Sequence, residues 1–241
     1  MSELLSEINS AAFWLGLIQI IGINIVLSGD NAVVIALAAR RLPEAQRNRA
    51  ILVGSAGAIV LRVVLTLFAA VLLDLPFVKT VGGLLLLWIA VKLLVPEDEG
   101  DGDGDEGASD FWQAVRIVLI ADFVMSLDNV IGVAAAAGGS ILLLVLGLAI
   151  SIPLIIFSST LIMKWMERLP IIITAGGALL GWVAGGTIIT DPLYADVLTA
   201  MPWLKIAFGI AGVALVLGLG RWLAARAQSN VLEEIHPEHT R

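Results

Sequence analysis

The chain is predicted to be an all-α integral membrane protein with seven transmembrane helices, built as two inverted three-helix repeats plus one extra helix. Three observations lead there. The 241 residues are 59% hydrophobic and only 15% charged, which leaves too little polar surface to cover a soluble domain. The apolar runs last about 18 to 28 residues, the length a helix needs to cross a hydrocarbon core of about 30 Å, and they lack the alternation of barrel strands. Polar islands inside the runs recur at a fixed distance along the chain. The membrane is therefore the first partner.

Breakers and hydropathy place the spans at 12–39, 50–73, 77–95, 112–137, 140–163, 170–190 and 203–223, following the window and punctuation rules. The first run has polar groups at its middle and no small-residue cleavage site, so it reads as a retained helix. Arg62 and Thr66 lie in the second span. The fifth carries Ser151, Pro153, Ser158, Ser159 and Thr160, and the sixth is glycine-rich at Gly176, Gly177, Gly181, Gly185 and Gly186. Small residues allow close helix approach, and the hydroxyls can bond across helices or take up carbonyls freed near the proline.

Orientation follows from basic residues in short loops, which mark the cytoplasmic side. Arg40, Arg41, Arg47 and Arg49 lie between spans one and two, Lys164 and Arg168 between five and six, and Arg221 and Arg226 after seven, against only Lys79 and Lys205 on the other side. The N-terminus is expected outside; the linker 96–110 and the tail 224–241 are expected in the cytoplasm. Eight acidic residues in that linker account for the net charge of −7, and no basic footprint for nucleic acid exists. Asp101, Asp103 and Asp105 imitate the start of a calcium loop, but Glu106 stands where the turn glycine belongs and Trp112 where the closing glutamate belongs, so the linker reads as solvated and flexible.

The polar islands are Asn24-Ile25-Val26-Leu27-Ser28-Gly29-Asp30-Asn31 and, 98 residues downstream, Asp122-Phe123-Val124-Met125-Ser126-Leu127-Asp128-Asn129. A second match relates Gly82-Gly83-x4-Trp88 to Gly176-Gly177-x4-Trp182 at an offset of 94. Spans 12–95 and 112–190 are thus two copies of one unit. Three crossings per unit put the second copy upside down, the plan of many secondary transporters. Asp30 and Asp128 then both fall near mid-membrane, where a carboxylate is expensive and marks a pathway or a binding site.

Together the islands offer Asp30, Asp128 and Asp122 as carboxylates and Asn24, Asn31 and Asn129 as carbonyl donors. This hard oxygen set suits Mn²⁺, Mg²⁺ or Ca²⁺. The absence of cysteine, with both histidines, His236 and His239, in the tail, argues against copper or zinc selectivity. Gly29 is placed to interrupt span one and let the groups converge. Met125 is either a soft ligand or core filling, and Ser28 and Ser126 are either supporting donors or bonds within their own helices. Arg62 is either an internal counter-ion or a snorkelling cation, with Thr160 as its repeat equivalent. No organic cofactor is called for, and no feature specifies an oligomer.

The runs Leu27-Ser28-Gly29-Asp30-Asn31-Ala32-Val33 and Met125-Ser126-Leu127-Asp128-Asn129-Val130 resemble the paired signature of the TerC family of integral membrane proteins, in its YjbE-type branch within the LysE-like transporter superfamily. The resemblance covers essentially residues 10–223. It implies a bacterial inner-membrane protein linked to manganese efflux and tellurium resistance, with Asp30, Asn31, Asp128 and Asn129 at the ion site and Asn24 and Asp122 beside it. The expected function is Mn²⁺ export by rocking one repeat against the other, with protons as counter-substrate. A metal-sensing or accessory scaffold would use the same ligands without moving ions. An intramembrane aspartyl protease would also need paired aspartates, but the Gly-x-Gly-Asp pattern is missing, so no enzyme is expected.

Overall fold

A computed structural model describes residues 11–95 and 106–235, with the side chains of 11–12, 24–28, 70, 73–74, 106–109 and 227–235 outside the description. The described residues are almost wholly helical and contain no strand. The helices are α1 (Ala11–Ala39), α2 (Glu44–Leu67), α3 (Ala69–Asp74), α4 (Val78–Leu94), α5 (Glu106–Ala137), α6 (Ile141–Arg168), α7 (Ile171–Ile189), α8 (Ala195–Ala200) and α9 (Leu204–Ile235), with one 3-10 turn at Pro192–Tyr194. Among the described residues, five stretches are long and apolar enough to cross a membrane: Glu44–Leu67, Asp110–Ala137, Ile141–Arg168, Ile171–Ile189 and Leu204–Arg226. Two shorter apolar stretches of α1, Phe13–Ile23 and Gly29–Ala39, flank residues 24–28; α4 has 17 residues.

Three boundaries differ from the sequence reading. Span two begins at Glu44 and is interrupted at Phe68, whose φ and ψ of −103° and 10° leave the helical region. The Thr66 hydroxyl bonds back to the Arg62 carbonyl at 2.8 Å, a contact that loosens a helix locally. Residues 106–110 of the expected linker are the start of α5. Residues 96–105 lie outside the description. Residues 224–235 of the expected tail prolong α9, because the run after Trp222 contains neither glycine nor proline.

Glycines set how closely the helices approach. A Cβ on Gly185 would stand 2.0 Å from the Phe208 carbonyl oxygen, and one on Gly181 2.6 Å from that of Gly212, so α7 and α9 meet backbone to backbone. Gly83 of α4 sits in the same way against the Ala184 carbonyl at 2.8 Å. These contacts weld α4, α7 and α9 into one three-helix body. Elsewhere Gly147 of α6 receives Ile20 of α1, and Gly54 and Gly57 of α2 receive Val118 and Leu119 of α5. The pairs α1–α6 and α2–α5 are each tightly packed and join through α1–α5 into a four-helix body.

Helix α4 takes its caps from elsewhere. At its N-terminus, where Phe77 adopts a left-handed φ of 70°, the Asp191 carboxylate accepts from the backbone N–H groups of Phe77 at 3.1 Å and Thr80 at 3.0 Å. At its C-terminus Arg40 donates to the Leu93 carbonyl at 3.0 Å and Arg41 to those of Lys92 and Val95. Both ends thus carry the charge the helix dipole favours and have orphan groups satisfied. Burial pushes the Asp191 carboxyl up, but bonds from Leu193, Thr80 and Phe77 outweigh it and hold it below the usual carboxylate range.

A depressed carboxylate contributes stability above its unfolded value of about pH 4 and loses it as pH falls through the folded value. Asp191→Asn should therefore lower the thermal midpoint in detergent at neutral pH and make the stability of the protein less dependent on pH below about 4. Gly185→Ala should destabilise by several kcal/mol, whereas Gly218→Ala, with open space around it, should be neutral or gain up to about 1 kcal/mol from helix propensity; the same melts would compare them.

Candidate functional site

Helix α1 runs unbroken through Gly29, which is exposed with open space around it, so the interruption expected there does not occur. In a regular helix Asn24, Ser28 and Asn31 lie on one face and Asp30 about 120° away. Asn31 is accordingly 4% exposed, while Asp30 is half-buried and accepts from the Asn31 backbone N–H at 2.8 Å. The side chains of Asn24 and Ser28 lie outside the described residues. Helix α5 is also continuous. Its inner face presents Asp122 and Ser126, both buried, and Asp128 is again rotated away, its side chain 40% exposed. Asp30 and Asp128 each stand nine residues before the ends of their helices, at Ala39 and Ala137, a rise of about 13 Å.

The buried polar centre forms around Arg62 of α2, itself 4% exposed. Its Nη2 meets Asp122 Oδ1 at 2.5 Å, and its Nε donates to Ser126 Oγ at 3.1 Å. The Ser126 hydroxyl donates in turn to Asp122 Oδ2 at 3.2 Å. This closed ring of three side chains links α2 to α5 in the interior of the bundle. Asp30 of α1 lies within electrostatic reach of both Arg62 and Asp122. Arg62 is therefore an internal counter-ion and does not snorkel. Ser126 bonds Arg62 and Asp122, while Met125 is 4% exposed and packs in the apolar core with Val34 and Leu37.

Asp128 takes another partner. The Lys79 ammonium, in the first turn of α4, is ion-paired with Asp128 Oδ1. Asn129, half-buried, follows it on α5. The expected site residues thus divide into Asp122, paired with Arg62, and Asp30, within electrostatic reach of both, buried Asn31 beside Asp30 on α1, and Asp128 drawn toward α4. Among the described residues no group of three or more carboxylates or imidazoles is spaced to hold a metal ion. Lys79 was read from sequence only as a loop cation. Its signal was its place just before the Gly82-Gly83 element of a span otherwise free of charge until Lys92.

Residues 9–228 match the profile of the integral membrane protein TerC family. The chain belongs to the TerC family. Among its relatives, the Bacillus subtilis membrane protein YjbE is 40% identical over 205 residues, covering 82% of this chain and 93% of YjbE. YkoY of the same organism is 28% identical over 69% of this chain and 57% of its own length. The Escherichia coli inner membrane protein YgdQ is 29% identical over 65% of this chain and 73% of its own. No solved structure matches. The match to the TerC family spans both Asp-Asn elements, Arg62 and Lys79; together with the apolar helices it makes the chain an integral membrane protein.

Removing one partner of a buried ion pair strands the other charge and costs about 3–5 kcal/mol. Arg62→Met alone should therefore destabilise the protein strongly in detergent melts. The double variant Arg62→Met with Asp122→Asn should recover most of that loss.

Proposed function

We propose that the protein is a secondary transporter that exports divalent cations, Mn²⁺ foremost, through the polar centre of α1, α2 and α5. The observation that carries this reading is the charge at that centre: Asp122 is paired with the single guanidinium of Arg62, and a second carboxylate, Asp30, lies within electrostatic reach of both. A purely structural pair needs one acid for one base. A second acid in the membrane interior leaves a formal excess of negative charge that a cation would relieve. Asp30 and Asp122, with amide oxygen from Asn31 and, on α5, from Asn129, give hard donors for Mn²⁺, Mg²⁺ or Ca²⁺. Protons can take the place of the metal when it leaves, so exchange of metal for protons follows from the same groups.

Matched contacts support the inverted-repeat plan. Ile20 of α1 fills the place at Gly147 of α6, as Val118 of α5 does at Gly54 of α2, so residues 98 apart play the same role against glycines 93 apart. In that register Ile155, not Thr160, stands where Arg62 does, and the site is electrostatically one-sided. Helices α4 and α7, which carry the two Gly-Gly elements, run antiparallel, with Gly83 near Ile188 and Gly177 near Leu94. With α1 and α4 counted, the crossings are seven. The arginine-rich α1–α2 connection and Lys164 and Arg168 support a cytoplasmic location for that face, with the N-terminus outside. YgdQ is named an inner membrane protein, in keeping with a bacterial plasma-membrane location.

Inverted vesicles or proteoliposomes containing the purified protein should accumulate Mn²⁺. Asp30→Ala and Asp122→Asn should each reduce the initial rate by an order of magnitude or more, at least the loss that removing an outer partner of a metal ligand brings. Full rates in both variants would remove these residues from the pathway. Metal binding without flux would make the protein a sensor or scaffold.

A further inference from the structure

The interfaces between the two bodies differ in kind from those inside them. Within the four-helix body (α1, α2, α5, α6) and the three-helix body (α4, α7, α9), helices approach at glycine and pack densely. Each body draws helices from both halves of the chain. Separating the halves would break α1–α6, α2–α5 and α4–α7, the closest packings between them. Sliding one body against the other breaks much less. Contacts between the bodies are sparser and include Gly82 of α4 on Val124, and Gly176 of α7 on Val33 and Leu37. Polar ties join the bodies at the two ends of α4: Lys79 to Asp128 at its start, and Arg40 and Arg41 to the Leu93, Lys92 and Val95 carbonyls at its finish.

We infer that the Lys79–Asp128 ion pair is a gate latch, closing the cleft between the two bodies on the side of the membrane where α4 begins. Val124, 0% exposed, lies one helical turn below the latch on α5 and two residues from Asp122. A cleft opening from that side exposes Val124 first and leads to the Arg62–Asp122 centre. Asp128 on this inference is a gate acid that a cation passing through must free from Lys79, which explains its separation from Asp30 and its 40% exposure. The arginine ties at the other end of α4 remain made while this side opens. The gate assignment rests on the transport reading for its cargo, but the opening itself is readable without any flux.

The chain has no cysteine, so a single Val124→Cys substitution provides a unique thiol. Reaction with a membrane-impermeant maleimide, in right-side-out and in inverted vesicles, should be slow in that background. Adding Lys79→Gln or Asp128→Asn should speed it about fivefold from one side only, the scale of an ion pair shifting a two-state equilibrium, while Lys79→Arg should keep it slow. Ser159→Cys, fully buried on α6, reports on general loosening and should stay unreactive in every background. Equal rates with and without Lys79, faster labelling from both sides, or a parallel rise at the Ser159→Cys thiol would each overturn the latch. If Mn²⁺ flux is absent while the one-sided rise at Val124→Cys is seen, the transport reading falls and the latch stands. If flux is present and labelling is unchanged, the reverse holds.

Discussion

The Arg62–Asp122 pair is the constraint around which the rest of the bundle is arranged. A guanidinium and a carboxylate buried among apolar side chains are tolerable only if each finds the other and their remaining hydrogen-bonding groups are met. Ser126 supplies that third member, accepting from the base and donating to the acid. The requirement fixes α2 against α5 in rotation and in height, and Gly54 and Gly57 then let the two backbones come close enough for the side chains to reach. Asp30 enters the same field from α1. The polar centre is thus a place where structure and chemistry share the same atoms.

Packing divides the molecule along a line that connectivity does not suggest. In a membrane, helix association depends on close van der Waals contact more than on exclusion of water, so small residues decide which helices adhere. Glycine concentrates at α7–α9, α4–α7, α1–α6 and α2–α5. The two halves of the chain are interleaved as a result. The units that pack most closely are two mixed bodies, each drawing helices from both repeats.

Much of this was legible in the sequence, because membrane helices obey a simple length and hydropathy rule and a repeat of two Asp-Asn elements is hard to produce by chance. Asp30, Asp122 and Arg62 were recognisable as polar groups where apolar ones were expected. What could not be read was pairing. Asp128 and Asp30 are equivalent along the chain, yet one meets a lysine from α4 and the other lies in the field of an arginine from α2; nothing local distinguishes them. Helix ends were misjudged where hydropathy and helicity part company: α5 and α9 continue into charged residues that helices accept and membranes reject. The break at Phe68 has no proline or glycine to announce it, only the back-bonding Thr66 one turn past Arg62.

The capping of α4 has a consequence for how the chain is made. The arginines that finish this helix are synthesised before it, but Asp191, which completes its start, leaves the ribosome more than a hundred residues later. Until then the first turn of a 17-residue helix holds unsatisfied amides at the edge of a bilayer, where they are costly. Helix α4 therefore takes its final cap only when Asp191 of the second half is in place. The two halves of the chain thus share a helix end, and neither half holds all the groups that complete it.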